Sequence, residues 1–131
     1  MFLDASAMIA ILVVEDDAAA LTKRLEQAAE AITSPIALYE AVLGVARVCN
    51  LPIPAARAIV DRFLEQALIR VMPITVEIGR HAVSACEQYG RGRHPAALNM
   101  GDCFAYACAR ALDVPLLYKG NDFPQTDIAA A

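Results

Sequence analysis

The sequence predicts an α/β fold, a parallel sheet sandwiched between helices. Short apolar runs suited to strands alternate with longer runs suited to helices. Strong helix starts punctuate the chain, above all Ser34-Pro35, an N-cap followed by proline at the first helical position. The length of 131 residues fits one domain, residues 1–131, and leaves little room for a second.

In chain order, Met1 to Leu3 reads as a short strand ending on Asp4. Ser6 is expected to cap a helix through Val14, closed by the acidic turn Glu15-Asp16-Asp17. Residues 18–30 are amphipathic, with Leu21 and Leu25 on one face. Ala31-Ile32-Thr33 is a second strand. The helix opened by Ser34-Pro35 should run to about Cys49 and stop before Asn50-Leu51-Pro52. Pro54 opens another, to about Arg70. Val71 to Ile74 is a third strand, and Thr75 caps a helix to about Tyr89. Residues 90–99, rich in Gly and Arg, form a loop. Gly101-Asp102 begins the last helix, which ends near Leu112, and Pro115 to Tyr118 is the fourth strand. The turn Lys119-Gly120-Asn121-Asp122 follows it.

Bulk properties narrow the function. Apolar residues make up 58% of the chain, enough for a substantial core with some surface left for partners. A net charge of −4 argues against a protein that coats nucleic acid by bulk attraction, although a local basic rim can still hold phosphates. The four cysteines, Cys49, Cys86, Cys103 and Cys108, form no CxxC pair, the pattern of a small reduced cytoplasmic protein. The apolar run Ala5 to Val14 is too short to span a bilayer and lacks a basic segment ahead of it. A cytoplasmic location is the expectation.

The chemistry lies in the acids. Ligands of parallel α/β sheets collect at the carboxyl ends of the strands. Asp4 closes the first strand, Asp122 lies in the turn after the fourth, Asp102 opens a helix and Glu40 sits less than two turns into another. That rule places all four toward one edge, where they would repel one another unless a cation sat between them. Oxygen donors without Cys or His point to Mg²⁺ or Mn²⁺. Each residue taken alone has a plainer reading. Asp4 can be a polar strand end, Asp102 a helix-start acid favoured by the macrodipole, and Asp122 turn chemistry. Glu40 sits in an otherwise apolar helix, yet Gly44 and Arg47 leave room for a narrow exposed stripe beside it. Arg91 and Arg93, with His94, are candidates for gripping phosphates, and a solvated loop is the alternative. His81 and His94 read as surface residues rather than general bases.

The segment Ile11-Leu12-Val13-Val14-Glu15-Asp16-Asp17 looks like the opening of a response-regulator receiver domain. A receiver needs a phosphoaccepting Asp at the end of a later apolar strand, whereas Asp61 lies in a stretch that reads as helix, and Lys119 precedes Gly120 rather than proline.

Four segments in register carry a better resemblance. Met1-Phe2-Leu3-Asp4-Ala5-Ser6-Ala7, Ser34-Pro35 through Glu40-Ala41, Asn99 through Ala107 with Gly101-Asp102, and Pro115 through Phe123 together resemble the PIN-domain ribonucleases. The likeness is greatest to the VapC toxins of bacterial toxin–antitoxin pairs. This resemblance implies a three-layer α/β/α sandwich with a short parallel sheet of four to five strands. It implies Mg²⁺, with Mn²⁺ as a substitute, and hydrolysis of RNA phosphodiesters by a metal-activated water. Asp4, Glu40 and Asp102 match the family's acidic positions, and Ser6 its small hydroxyl position, which supports the first acid or the metal's water. Asp122 is chosen as the fourth acid, with Asn121 beside it or Asp127 as substitutes. A homodimer and a cognate VapB-type antitoxin, whose basic tail blocks the acidic pocket, are also implied. A catalytically silent PIN-like binding module is the other functional class.

Overall fold

The computed structural model describes residues 1–131 and shows four parallel strands in the order β3-β2-β1-β4. The strands are β1 (Phe2–Leu3), β2 (Ile32–Thr33), β3 (Arg70–Val71) and β4 (Leu116–Leu117). Six α-helices connect them: α1 (Ala5–Leu12), α2 (Ala18–Glu26), α3 (Pro35–Val48), α4 (Ile53–Gln66), α5 (Val76–Tyr89) and α6 (Met100–Leu112). Phe2 is in register with Ile32 on one side and Leu116 on the other.

Each strand is only two residues long, so its side chains face opposite layers in a single step. Phe2, Ile32 and Leu116 enter one core with α5 and α6. Leu3 and Leu117 enter the other, with α1 to α4. The result is the expected α/β/α sandwich, with four strands. The third strand begins one residue earlier than the expected Val71 and is shorter, although the Met72 amide still donates to Thr33 O at 2.9 Å. Pro73 has no amide to extend that ladder.

Helix starts follow their caps. Ser34 Oγ accepts the Ala37 amide at 3.2 Å and Thr75 Oγ1 accepts the Ile78 amide at 3.2 Å. The cap of α1 differs from the expectation: it is Asp4, whose carboxylate accepts the Ser6 amide at 2.9 Å. Asp4 is still extended (φ −77°, ψ 157°), so the strand hands to the helix with Asp4 alone between them. Asp61 lies inside α4, as required to exclude the receiver reading.

Two close approaches tighten the structure, one within the sheet and one between α1 and α3. Thr33, fully buried, satisfies its hydroxyl by donating to Leu3 O at 2.9 Å. Gly44 of α3 lies against Ile9 of α1, so the stripe beside Glu40 is closed at Gly44 and exposed at Arg47. A Cβ at residue 44 would run into the Ile9 side chain. Gly44→Ala should therefore cost about 1–3 kcal/mol through overpacking, read as a lower urea midpoint with an unchanged m-value. An equal or higher midpoint would show that α1 and α3 can part freely.

Candidate active site

The strand ends determine where the acids meet. The Asp4 amide donates to Leu117 O at 3.0 Å, which fixes the end of β1 against β4. The Asp4 side chain is 4% exposed. Its Oδ2 accepts from the Ser6 amide at 2.9 Å and from Ser6 Oγ at 2.5 Å, and Ser6 Oγ in turn accepts the Lys119 amide at 3.0 Å. Ser6 thus links the first acid to the loop after β4. Lys119 Nζ is itself paired with Glu15 and, at 3.1 Å, with Asp17. The acidic turn after α1 therefore anchors that loop.

Glu40 arrives from α3 and Asp102 from the first turn of α6. Asn99 caps α6 through a reciprocal box: Asn99 Oδ1 accepts the Asp102 amide at 3.1 Å, and Asp102 Oδ2 accepts the Asn99 amide at 2.8 Å. Asp4, Ser6, Glu40, Asn99 and Asp102 line one open cavity of about 550 Å³, walled on the α3 side by Tyr39, Leu43, Gly44 and Arg47. No three His, Cys, Asp or Glu side chains close into a ready-made ligand group. The three acids face one space without touching.

Their protonation equilibria record that crowding. Burial pushes Asp4 above the ordinary aspartate value, against the lowering effect of the Ser6 hydrogen bonds. Glu40 is pushed up to about 7, first by burial and then by the charges of Asp4 and Asp102. Asp102 is pushed up to about 6 by burial, opposed by the Asn99 hydrogen bond, raised further by Asp4 and Asp122 and lowered slightly by Arg91. An anionic cavity in which ionisation is unfavourable for want of a counter-charge is a fitting place for a hard divalent cation. Asp4, Glu40 and Asp102 are the side chains that could supply its oxygen donors.

The remaining candidates are placed as follows. Asp122 is exposed, leads into a short 3₁₀ turn (Phe123–Gln125) without capping it, and does not line the cavity, although its charge reaches Asp102. Asn121 is exposed, and its carbonyl accepts from Gln125 Nε2 at 3.3 Å. Asp127 is committed elsewhere: Tyr106 Oη donates to it at 2.5 Å and Arg110 stands 3.8 Å away. Arg91 lies near enough to lower the Asp102 pKa, whereas Arg93 is exposed on the loop. His94 packs edge-on against Tyr89 and its Nδ1 accepts the Ala96 amide at 3.1 Å, a structural role.

Gly101 belongs to the site although its sequence pattern alone does not single it out. A Cβ there would fall inside contact distance of both Glu40 carboxylate oxygens. Glycine in the first turn of α6 is what lets the α3 carboxylate reach that helix end. The available signal is its place between Met100 and the acidic Asp102, where a helix former would be expected.

The PIN-domain family model matches residues 1–129. A VapC ribonuclease of Rhizobium meliloti is 39% identical, over 97% of this chain and 98% of its own. Ribonuclease VapC28 of Mycobacterium tuberculosis is 41% identical, over 100% of this chain and 97% of its own. Among solved structures, the crystal structure of Mycobacterium tuberculosis VapC20, described as a sarcin-ricin-loop-cleaving toxin, superposes with a TM-score of 0.80. It covers 99% of this chain and 97% of its own at 15% identity, a likeness of fold.

Gly101→Ala offers a sharp test of the cavity. The obstructed neighbour is the end of a flexible side chain, so the fold should hold and α6 should gain up to about 1 kcal/mol of helix propensity. Glu40 is displaced, and the stabilisation that Mg²⁺ confers on melting should fall at least tenfold in apparent affinity. A variant whose melting shift with Mg²⁺ matches the parent's at every concentration would separate Glu40 from cation binding.

Proposed function

Because the chain belongs to the PIN-domain family, with VapC ribonucleases as near-full-length relatives, we propose that it is a divalent-metal-dependent endoribonuclease and the toxin of a VapBC-type pair. The observation that carries this reading is the lining of one half-buried cavity by Asp4, Glu40 and Asp102, none of which is engaged in a salt bridge with a cation of the chain. Residues 1–131 act in this reading as one PIN domain.

A bound Mg²⁺ or Mn²⁺ would polarise the scissile phosphodiester and make a water acidic enough to attack at neutral pH. The chain's own part is to hold and orient. Asp4 presents a carboxylate clamped by two hydrogen bonds from Ser6 to its Oδ2. Asp102 is held by its cap and Glu40 by its approach to Gly101. Asp122, with Asn121 beside it on the loop anchored by Lys119, would complete the acid set, its charge already acting on Asp102. Arg91 beside Asp102, and Arg93 further along the same loop, contact RNA phosphates. The same charge pattern suits a cognate antitoxin with a basic segment, which would occupy the cavity and neutralise it. A homodimer and a cytoplasmic location complete the proposal. No helix is long and apolar enough to cross a membrane.

Asp4→Asn and Asp102→Asn should each lower Mg²⁺-dependent RNA cleavage by at least a hundredfold while the circular-dichroism spectrum stays native, and EDTA should abolish cleavage by the parent. Full activity in either variant, or activity in EDTA, would sink the assignment. A parent that binds RNA but never cuts it would be a silent binding module instead. Replacing both Arg91 and Arg93 by Gln should weaken RNA binding and flatten the slope of log Kd against log salt. For a single strand, each phosphate no longer neutralised should reduce that slope by about 0.7. An unchanged slope would remove the loop from the RNA path.

A further inference from the structure

We infer that Tyr39 and Arg47 form a binding track for the nucleotide next to the scissile phosphate of single-stranded RNA, with Tyr39 stacking on its base and Arg47 contacting its phosphate. The inference rests on the nuclease reading of the acidic cavity and extends it to the substrate. Both residues line the cavity that holds Asp4, Glu40 and Asp102, yet neither serves the acids. Tyr39 is 65% exposed, a large aromatic face held in water beside a polar site. Its ring face is therefore available to a partner with a π-face.

Arg47 is exposed and takes part in none of the chain's ion pairs. It also leaves Glu40 unneutralised, although the two lie on the same helix. Its guanidinium is therefore free for an anion. RNA approaching this cavity meets concentrated negative charge, so a cation on the wall is needed wherever a phosphate passes beyond the acids.

Helix geometry joins the two. Tyr39, Leu43 and Arg47 follow at four-residue steps along one side of α3, a span of roughly 12 Å. Ile9, seated against Gly44, and Leu43 supply an apolar floor between them. The track runs from the acids outward and is short and one-sided. That suits an unstacked, single-stranded nucleotide, whose splayed base can reach an aromatic ring, better than a duplex. A protein partner on this face would meet the same aromatic ring, but it would give Arg47 no reason to lie within the acidic cavity.

The test uses the full chain and a fluorescein-labelled, mixed-sequence single-stranded RNA hexamer. Binding is measured in EDTA at several salt concentrations, and initial cleavage rates in Mg²⁺. Tyr39→Ala and Arg47→Ala should each raise Kd about tenfold, while Tyr39→Phe stays within twofold of the parent. Arg47→Ala should also flatten the salt slope by about 0.7. In cleavage, KM should rise in both alanine variants while kcat stays within about threefold. Both positions are exposed, so the variants should fold. Parental affinity in both alanine variants would overturn the track. So would RNA binding equal to the parent combined with a changed sedimentation coefficient, which would give the face to a second copy of the chain. A parent with no Mg²⁺-dependent cleavage would defeat the nuclease reading, and the binding series would still decide whether Tyr39 and Arg47 hold RNA.

Discussion

A buried carboxylate at the end of β1 is the constraint to which much of this chain answers. Asp4 is nearly inaccessible, and ionising it there is unfavourable without compensation. The chain compensates only in part, through Ser6 and the amide-rich start of α1. It then places Glu40 and Asp102 opposite, which raises the electrostatic cost rather than lowering it. A fold optimised for stability alone would not gather three carboxylates on one cavity. Local cost of this kind marks a site whose occupant supplies the missing charge.

The scaffold that tolerates this arrangement is built from close approaches. Two-residue strands bury their side chains alternately in the two layers, so the sheet is small and its edge is near every loop. Gly44 brings α1 and α3 together on one side of the cavity, and Gly101 admits the Glu40 carboxylate to the end of α6. Lys119 ties the loop after β4 to the acidic turn after α1, while its amide holds Ser6. The Glu15-Asp16-Asp17 turn, which in sequence looks like the opening of a receiver domain, is in the structure a brace for the loop after β4, through Glu15 and Asp17.

Charge is distributed unevenly around the cavity. Acids occupy its base, Arg91 stands near Asp102, and Arg47 stands on the α3 wall. A chain with a net charge of −4 can thus present phosphate contacts locally without attracting nucleic acid over its whole surface.

The sequence by itself determined the alternation of strands and helices, the caps at Ser34 and Thr75, and the acids at Asp4, Glu40 and Asp102, because those signals are local or periodic. It left the first cap misassigned, since Asp4 and Ser6 are both good capping residues and only the hydrogen bond between them decides which leads. It ranked Asp122 above Asp127 only through the family resemblance, because both follow the last strand. Tertiary packing separates them: Asp127 is engaged by Tyr106 and Arg110, while Asp122 remains exposed within electrostatic reach of Asp102. Gly101, Tyr39 and Arg47 acquired meaning only when α3 was laid against α1 and α6. Their roles depend on distances between segments far apart in the chain, and no local pattern of residues encodes those distances.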